Sequence, residues 1–220
     1  MIARNLISNA IPPLKLSDDG TKALAWMNNF HLQHLPVIDN LKYVGVIGEY
    51  DIIDSNDAEK LLGERDFSNN HYFVYDHVHI YEVIKVLNKN KLSLIAVLDR
   101  NDTYLGVITV SDLLEFLASA NSMQDPGGII VLEMNVRNYV LSEIANIVES
   151  NGAKILSLYV SIDPSGLNLE TTIKINKNDL GNIIATFERY EYTIKASYQE
   201  QSDFDNSQDR FDAFMHYINI

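Results

Sequence analysis

The stretch Leu35-Pro-Val-Ile-Asp-Asn-Leu-Lys-Tyr-Val-Gly-Val-Ile-Gly-Glu-Tyr-Asp-Ile-Ile53 returns as Ile95-Ala-Val-Leu-Asp-Arg-Asn-Asp-Thr-Tyr-Leu-Gly-Val-Ile-Thr-Val-Ser-Asp-Leu-Leu114, with one extra turn residue in the second copy. Each copy reads as strand, Asp-containing turn, strand and helix start. A repeat of this kind outranks the reading of any single element, because each copy constrains the other. An amphipathic helix precedes each one. Ala23, Trp26, Met27 and Phe30 in the first, and Ile80, Val83, Ile84 and Leu87 in the second, keep the i, i+3, i+4, i+7 spacing of one helical face. The unit helix–strand–strand–helix is therefore expected twice over residues 1–122.

Beyond it, residues 121–128 (Asn-Ser-Met-Gln-Asp-Pro-Gly-Gly) concentrate turn chemistry, and Pro126 cannot continue a helix. A strand over Ile129–Met134 leads to a helix with Leu141, Ile144, Ala145 and Val148 on one face. That helix should end near Asn151-Gly152, where glycine suits a left-handed cap. Two alternating strands follow (Leu156, Leu158, Val160, Ile162, then Leu167, Leu169, Thr171, Ile173, Ile175), joined by the turn sequence Asp163-Pro-Ser-Gly166. A helix with Leu180, Ile183, Ile184 and Phe187 precedes a last strand alternating at Tyr192, Ile194, Ala196 and Tyr198. The order βαββαβ is the ferredoxin-like plan. Residues 200–220 hold five acidic residues and one Arg, with Phe211, Phe214, Met215 and Ile218 at the spacing of a short amphipathic helix.

Composition narrows the chemistry. The 220 residues carry 30 Asp+Glu against 17 Lys+Arg, a formal net charge of −13, with 46% hydrophobic residues and no Cys. The apolar fraction suffices for a packed core. Absence of cysteine removes disulfide frameworks, thiolate zinc sites, iron–sulfur clusters and thiol nucleophiles. The acidic balance would repel a phosphate backbone, so nucleic acid and anionic membranes are not expected as partners. Met1-Ile-Ala-Arg-Asn-Leu-Ile7 has no basic segment followed by a long apolar run, and the longest apolar runs, such as Leu94–Leu98, are of strand length; a cytoplasmic location is expected.

No phosphate loop, Gly-x-Gly-x-x-Gly, Gly-x-Ser-x-Gly or His-Glu-x-x-His occurs. Gly127-Gly128 reads as a hinge. His31 and His34 stand i, i+3 at a predicted helix end, and His77 and His79 would face one way on an extended segment, but neither pair has a third ligand at metal spacing. No metal site and no catalytic residues are expected.

The end of the second repeat stands out. Thr109 closes a strand, and Asp112 lies in the first turn of the next helix. Thr-x-x-Asp also describes a helix capping box, in which the two side chains satisfy orphan backbone N–H groups. Both readings remain open from the residues alone. The first repeat keeps Asp51 at the matching position but has Gly48 where the hydroxyl would be.

The duplicated unit resembles a tandem pair of CBS domains (cystathionine-β-synthase-type domains, together called a Bateman module). The resemblance is carried by Leu35-Pro-Val-Ile-Asp39 with Val44-Gly-Val-Ile47 and Asp51, and by Ala96-Val-Leu-Asp99 with Leu105-Gly-Val-Ile-Thr109 and Asp112. It implies two sheet-packed units with clefts for adenosine-containing ligands. Asp112 would take the ribose hydroxyls, Thr109 would reach a phosphate, and Ala96 and Pro36 would border the base pocket. Asp51 would be the ribose acceptor of a first cleft without its hydroxyl partner, so at most one competent nucleotide site is expected. The βαββαβ half resembles an ACT domain by element order, without the glycine of the first strand–helix turn, where Asn135-Val-Arg-Asn-Tyr139 stands instead. The succession resembles acetoin-utilisation-type regulatory proteins.

The expected fold class is α/β (α+β): CBS domains at about 1–62 and 68–122, a linker at 123–128, an ACT-like domain at 129–199 and an acidic linker with a short helix at 200–220. The expected function is that of a regulatory protein, not an enzyme, that binds AMP, ADP or Mg-ATP and changes association or partner regulation. Residues 1–122 carry 16 acidic and 10 basic side chains, which disfavours free ATP unless magnesium offsets the field. The resident cofactor is none; the partners are an adenosine nucleotide, a second copy in a homodimer and an unknown protein. The alternative is a ligand-free dimeric scaffold with degenerate clefts.

Overall fold

The computed structural model describes residues 1–54, 57–120 and 123–199. The chain divides into two compact units, Met1–Leu117 and Ala118–Ile220.

The first unit contains the element series twice. The first pass is β1 (Leu14–Lys15), α1 (Gly20–Phe30), β2 (His34–Asp39), β3 (Lys42–Gly48) and α2 (Glu49–Ile53). The second is β4 (Phe73–Tyr75), α3 (Ile80–Asn90), β5 (Leu94–Leu98), β6 (Tyr104–Thr109) and α4 (Val110–Ala120). Each forms a three-stranded sheet, β1-β2-β3 and β4-β5-β6, with a parallel first pair and an antiparallel second pair. The repeat extends to register, because the antiparallel ladders shift at equivalent places, Val37/Ile38 and Val97/Leu98. β1 and β4 were not expected; strands of two and three residues are too short to show alternation.

Local chemistry sets the helix ends. The Asp19 carboxylate accepts from the Lys22 N–H at 2.8 Å, capping α1. α1 and α3 both end on non-glycine residues in the left-handed conformation, His31 and Lys91, each with φ +54°. This turn separates the two histidines expected to share a helix end: His31 terminates α1, and His34 opens β2. His77 and His79 also differ from expectation, since they do not share one extended segment: His77 lies in a turn, and His79 is extended at the N-cap of α3. His77 stacks on Tyr75, while His79 Nδ1 accepts from the Tyr81 N–H at 3.3 Å. Among the described residues no three His, Asp or Glu side chains are grouped to hold a metal.

One core runs through both repeats, joining Ala23, Met27, Leu35 and Ile47 to Val83, Leu87, Ile95 and Ile108. A smaller cluster of Ile38, Tyr43, Ala96 and Leu98 packs with Phe73, Tyr75 and Tyr104. The outer edges of β3 and β6 are closed by an exchange between repeats. Residues leading into the second repeat cover β3, where the Val46 N–H donates to the Asn70 carbonyl at 2.8 Å. Residues leading into the first cover β6, where Ser8 and Val107 exchange backbone bonds of 2.8 and 3.2 Å.

The second unit runs β7 (Gly128–Asn135), α5 (Leu141–Ser150), β8 (Ile155–Ile162), β9 (Asn168–Ile175), α6 (Gly181–Arg189) and β10 (Thr193–Tyr198). Its sheet order β10-β7-β9-β8, antiparallel throughout, is ferredoxin-like. Ile130, Leu132, Ile144, Val148, Ile173, Ile183 and Phe187 form its core. Gly152, at φ +65°, follows α5 as expected. The expected single-face alternation of the last strand is broken. Ile194 pairs with the buried Leu132, but a bulge at Lys195 shifts Ala196 and Tyr198 opposite Val131 and Ile129, on the other face. The expected tail helix with Phe211, Phe214, Met215 and Ile218 lies outside the described residues. Among the described residues no helix is long and apolar enough to cross a membrane.

Candidate functional site

The two strand–helix corners at the ends of β3 and β6 are equivalent in topology and differ in chemistry. At the second, Thr109 pairs across the ladder with Leu94, and a reciprocal set of hydrogen bonds ties it to α4. The Thr109 N–H donates to Asp112 Oδ2 at 2.8 Å, the Thr109 hydroxyl donates to the same oxygen at 2.7 Å, and the Asp112 N–H donates to Thr109 Oγ1 at 3.0 Å. This is the capping box that the residue pattern allows. Among the described residues Asp112 Oδ1 accepts no hydrogen bond, so half of the carboxylate keeps its acceptor capacity. Thr109 is buried, and its proton is committed to Asp112.

At the first corner Gly48 pairs with His34. A Cβ on Gly48 would stand 3.2 Å from Asp51 Oδ2 and in van der Waals contact, 3.4 Å, with His34 Cδ2, so the imidazole borders the space that a side chain there would enter. The ring is held from the other repeat: the Ser93 N–H donates to His34 Nδ1 at 3.2 Å, and Ser93 Oγ lies 3.2 Å from the same nitrogen. A nitrogen that accepts a backbone N–H is unprotonated, which assigns the proton of neutral His34 to Nε2. Burial pushes the His34 pKa down from its ordinary value, with the Asp51 charge opposing. Asp51 Oδ2 accepts from the Gly48 N–H at 2.8 Å and from Asn70 Nδ2 at 3.0 Å.

Thr109 and Asp112 are thus brought together, and so are Gly48 and Asp51. Ala96 is buried opposite Val107, on the sheet face it shares with Thr109, and packs in the aromatic cluster of Tyr43, Phe73 and Tyr104. Pro36 is buried opposite Val46. His34, Asn70 and Ser93 were not expected at the first corner. Only the small residue at Gly48 hinted that something else fills that space.

Away from these corners, a groove of about 410 Å³ runs between α3 and α4, lined by Ile84, Leu87, Leu92, Val110, Leu113 and Leu114 with Lys91 at its rim. Its counterpart in the first repeat, about 420 Å³, includes His31, Gln33 and Glu49.

Residues 65–119 match the family of the CBS domain. A protein of Methanocaldococcus jannaschii, MJ1232, itself uncharacterized, is 26% identical over 123 residues; the match covers 50% of this chain and 42% of that protein. Among solved structures, a CBS domain pair/ACT domain protein of Thermotoga maritima is similar at a TM-score of 0.49 and 20% identity, covering 55% of this chain and 98% of that one. CBSX2, solved in complex with AMP, is similar at 0.45 and 19%, covering 54% and 96%. A Vibrio cholerae protein assigned provisionally to acetoin utilization (AcuB) is similar at 0.48 and 19%, covering 56% and 95%. The family match covers the second repeat, and the first repeat has the same elements, strand pairing and ladder shift.

Proposed function

We propose that this chain is a cytoplasmic regulatory protein, not an enzyme, whose CBS pair binds an adenosine nucleotide of the AMP, ADP or Mg-ATP type and converts binding into a change of association or partner regulation. The observation that carries this reading is Asp112. Its Oδ2 is locked in the cap, which fixes the carboxylate, while Oδ1 retains its acceptor capacity. A carboxylate held in this way can accept from a ribose hydroxyl in a charge-assisted bond worth roughly 1.5–3 kcal/mol. Pre-fixing the group lowers the ordering cost of binding. The ligand is a regulator and not a resident cofactor, and the rigid corner gives it a differential contact through which to bias a two-state arrangement.

Thermal unfolding with AMP, ADP, and ATP with and without magnesium tests the reading. At a hundredfold excess over the dissociation constant, a ligand should stabilise by about 2.7 kcal/mol, a shift of several degrees. Asp112→Asn is the variant of choice, because an amide oxygen still caps the Thr109 N–H while the charge is lost. Its ligand-induced shift, referred to its own ligand-free baseline, should fall to less than half. Shifts equal to those of the parent would reject Asp112 as the ribose acceptor.

The second reading, a constitutive scaffold with degenerate clefts, draws support from the first corner. There the Asn70 amide already sits on Asp51, and His34 stands over Gly48. Stripped, folded protein that no nucleotide stabilises would favour it.

A further inference from the structure

The two faces of the four-stranded sheet in the second unit are treated differently. Both helices of the unit, α5 and α6, pack on one face, where Ile144, Ile183 and Phe187 meet Ile130, Leu132 and Ile173. On the other face the strand registers align Ala196, Val131, Thr172 and Tyr159 in a row that crosses all four strands, with Tyr198 and Ile129 paired next to it. Tyr159 and Tyr198 are 61% and 60% exposed, while Ile129, Val131, Thr172 and Ala196 are half-buried. An exposed apolar band of this kind is a docking surface. Its two borders differ in charge. Glu133 and Glu170 face each other on one side, where Lys195 pairs with Glu170. Lys174 stands on the other side, opposite Ile129; its ammonium donates to the Gly127 carbonyl at 3.4 Å and, among the described residues, pairs with no carboxylate.

We propose that the segment Phe211–Ile218 of the same chain docks as an amphipathic helix on this band. Its apolar residues Phe211, Phe214, Met215 and Ile218 recur at i, i+3, i+4 and i+7. They would form a helical face about 11 Å long, close to the ~14 Å across four strands. A helix this short is marginal in water on its own and needs a surface to pack on. Attachment and reach favour the chain's own segment as the occupant. β10 ends at Tyr198, on the band itself. Residues 199–210 can extend over about 40 Å, ample to return the segment to the face that the chain has just left. Such tethering corresponds to an effective concentration on the order of millimolar, which a second copy or a separate partner would have to exceed. Charge points the same way. Glu200, Asp203, Asp205 and Asp209 follow β10 where it leaves the sheet at the Lys174 border, away from Glu133 and Glu170, so the acidic linker meets an attractive charge. The inference goes beyond the nucleotide reading and does not depend on it.

A chain without cysteine allows a clean test on the full-length protein. Under a mild oxidant, Thr172→Cys combined with Met215→Cys should close a disulfide within one chain. Asn182→Cys combined with Met215→Cys, with Asn182 exposed on α6 in the opposite layer, should close it at least about fivefold more slowly. Amide hydrogen exchange of the parent protein should show residues 211–218 protected at least about tenfold relative to a free peptide of residues 199–220. Equal disulfide rates at the two positions, a disulfide that joins two chains instead of closing within one, or exchange as fast as that of the peptide would each overturn the proposal. If the cysteine variants fail to fold, Tyr159→Asp at an exposed position decides in their place: the protection of residues 211–218 should be lost, and protection left unchanged would reject this face as the docking surface.

Discussion

Gly48 and Thr109 hold equivalent places, and the residue facing each across the ladder accounts for the difference: His34 stands opposite Gly48, and Leu94 opposite Thr109. Large-facing-small in one repeat and medium-facing-medium in the other fill similar corners. His34 should mark the pH dependence of stability. Its folded pKa lies below the ordinary value, so the unfolded chain binds the proton more readily. The associated stability is complete above the unfolded pKa near 6.5 and is lost as pH falls through that value toward the folded pKa. His34→Leu, copying Leu94, should remove part of the drop in melting temperature between pH 7 and pH 5; an unchanged drop would show that other groups produce it. Gly106 makes a second residue-scale test. It sits at φ +145°, and a Cβ there would lie 2.6 Å from Ile7 Cγ2 and 2.9 Å from Asn9 Oδ1. Gly106→Ala should cost about 1–3 kcal/mol in chemical denaturation through backbone strain and overpacking. Gly166→Ala, at φ +72° with nothing within 4 Å, should cost less.

Among the elements, the strands of the ferredoxin-like unit show where alternation is a dependable guide. In β9 it holds throughout, with Leu169, Thr171, Ile173 and Ile175 all buried. Thr171 is the anomaly of that face: fully buried, with an Oγ1 that has no hydrogen-bond partner among the described residues. A buried hydroxyl without a partner costs roughly 1–3 kcal/mol of desolvation. Thr171→Val keeps the shape and should raise stability, by up to about 1 kcal/mol; a loss of stability on denaturation would indicate an unseen partner for the hydroxyl. In β10 alternation fails at the Lys195 bulge, and Lys195 then pairs with Glu170 of β9 on the outer face. That ion pair raises the Lys195 pKa. Nothing in Tyr192, Ile194, Ala196 and Tyr198 as a series announces the extra residue.

At the scale of the whole molecule, the two units keep separate cores, one through both repeats and one under the four-stranded sheet. Separate cores lead to separate cooperative transitions. Phe187, fully buried in the second core, provides the test. Phe187→Ala should cost about 3–5 kcal/mol in its own unit, lowering one calorimetric transition and leaving the other, and any nucleotide-induced shift of it, in place. A single transition that moves as a whole would show that the units unfold together.

The order of the main elements, the duplicated unit and the βαββαβ plan could be read from the sequence because they depend on contacts between near neighbours: a helical face recurs every three or four residues and a strand face every two. The Thr109–Asp112 pair was legible for the same reason, being three residues apart. What tertiary structure decided depends on residues distant in the chain. Ser93 fixes His34 from 59 positions away, and Asn70 reaches Asp51 from 19. Coverage of β3 and β6 by segments from the opposite repeat likewise leaves no local pattern. Edge pairing is made by backbone groups that all residues but proline carry in full, so side-chain identity encodes little of it.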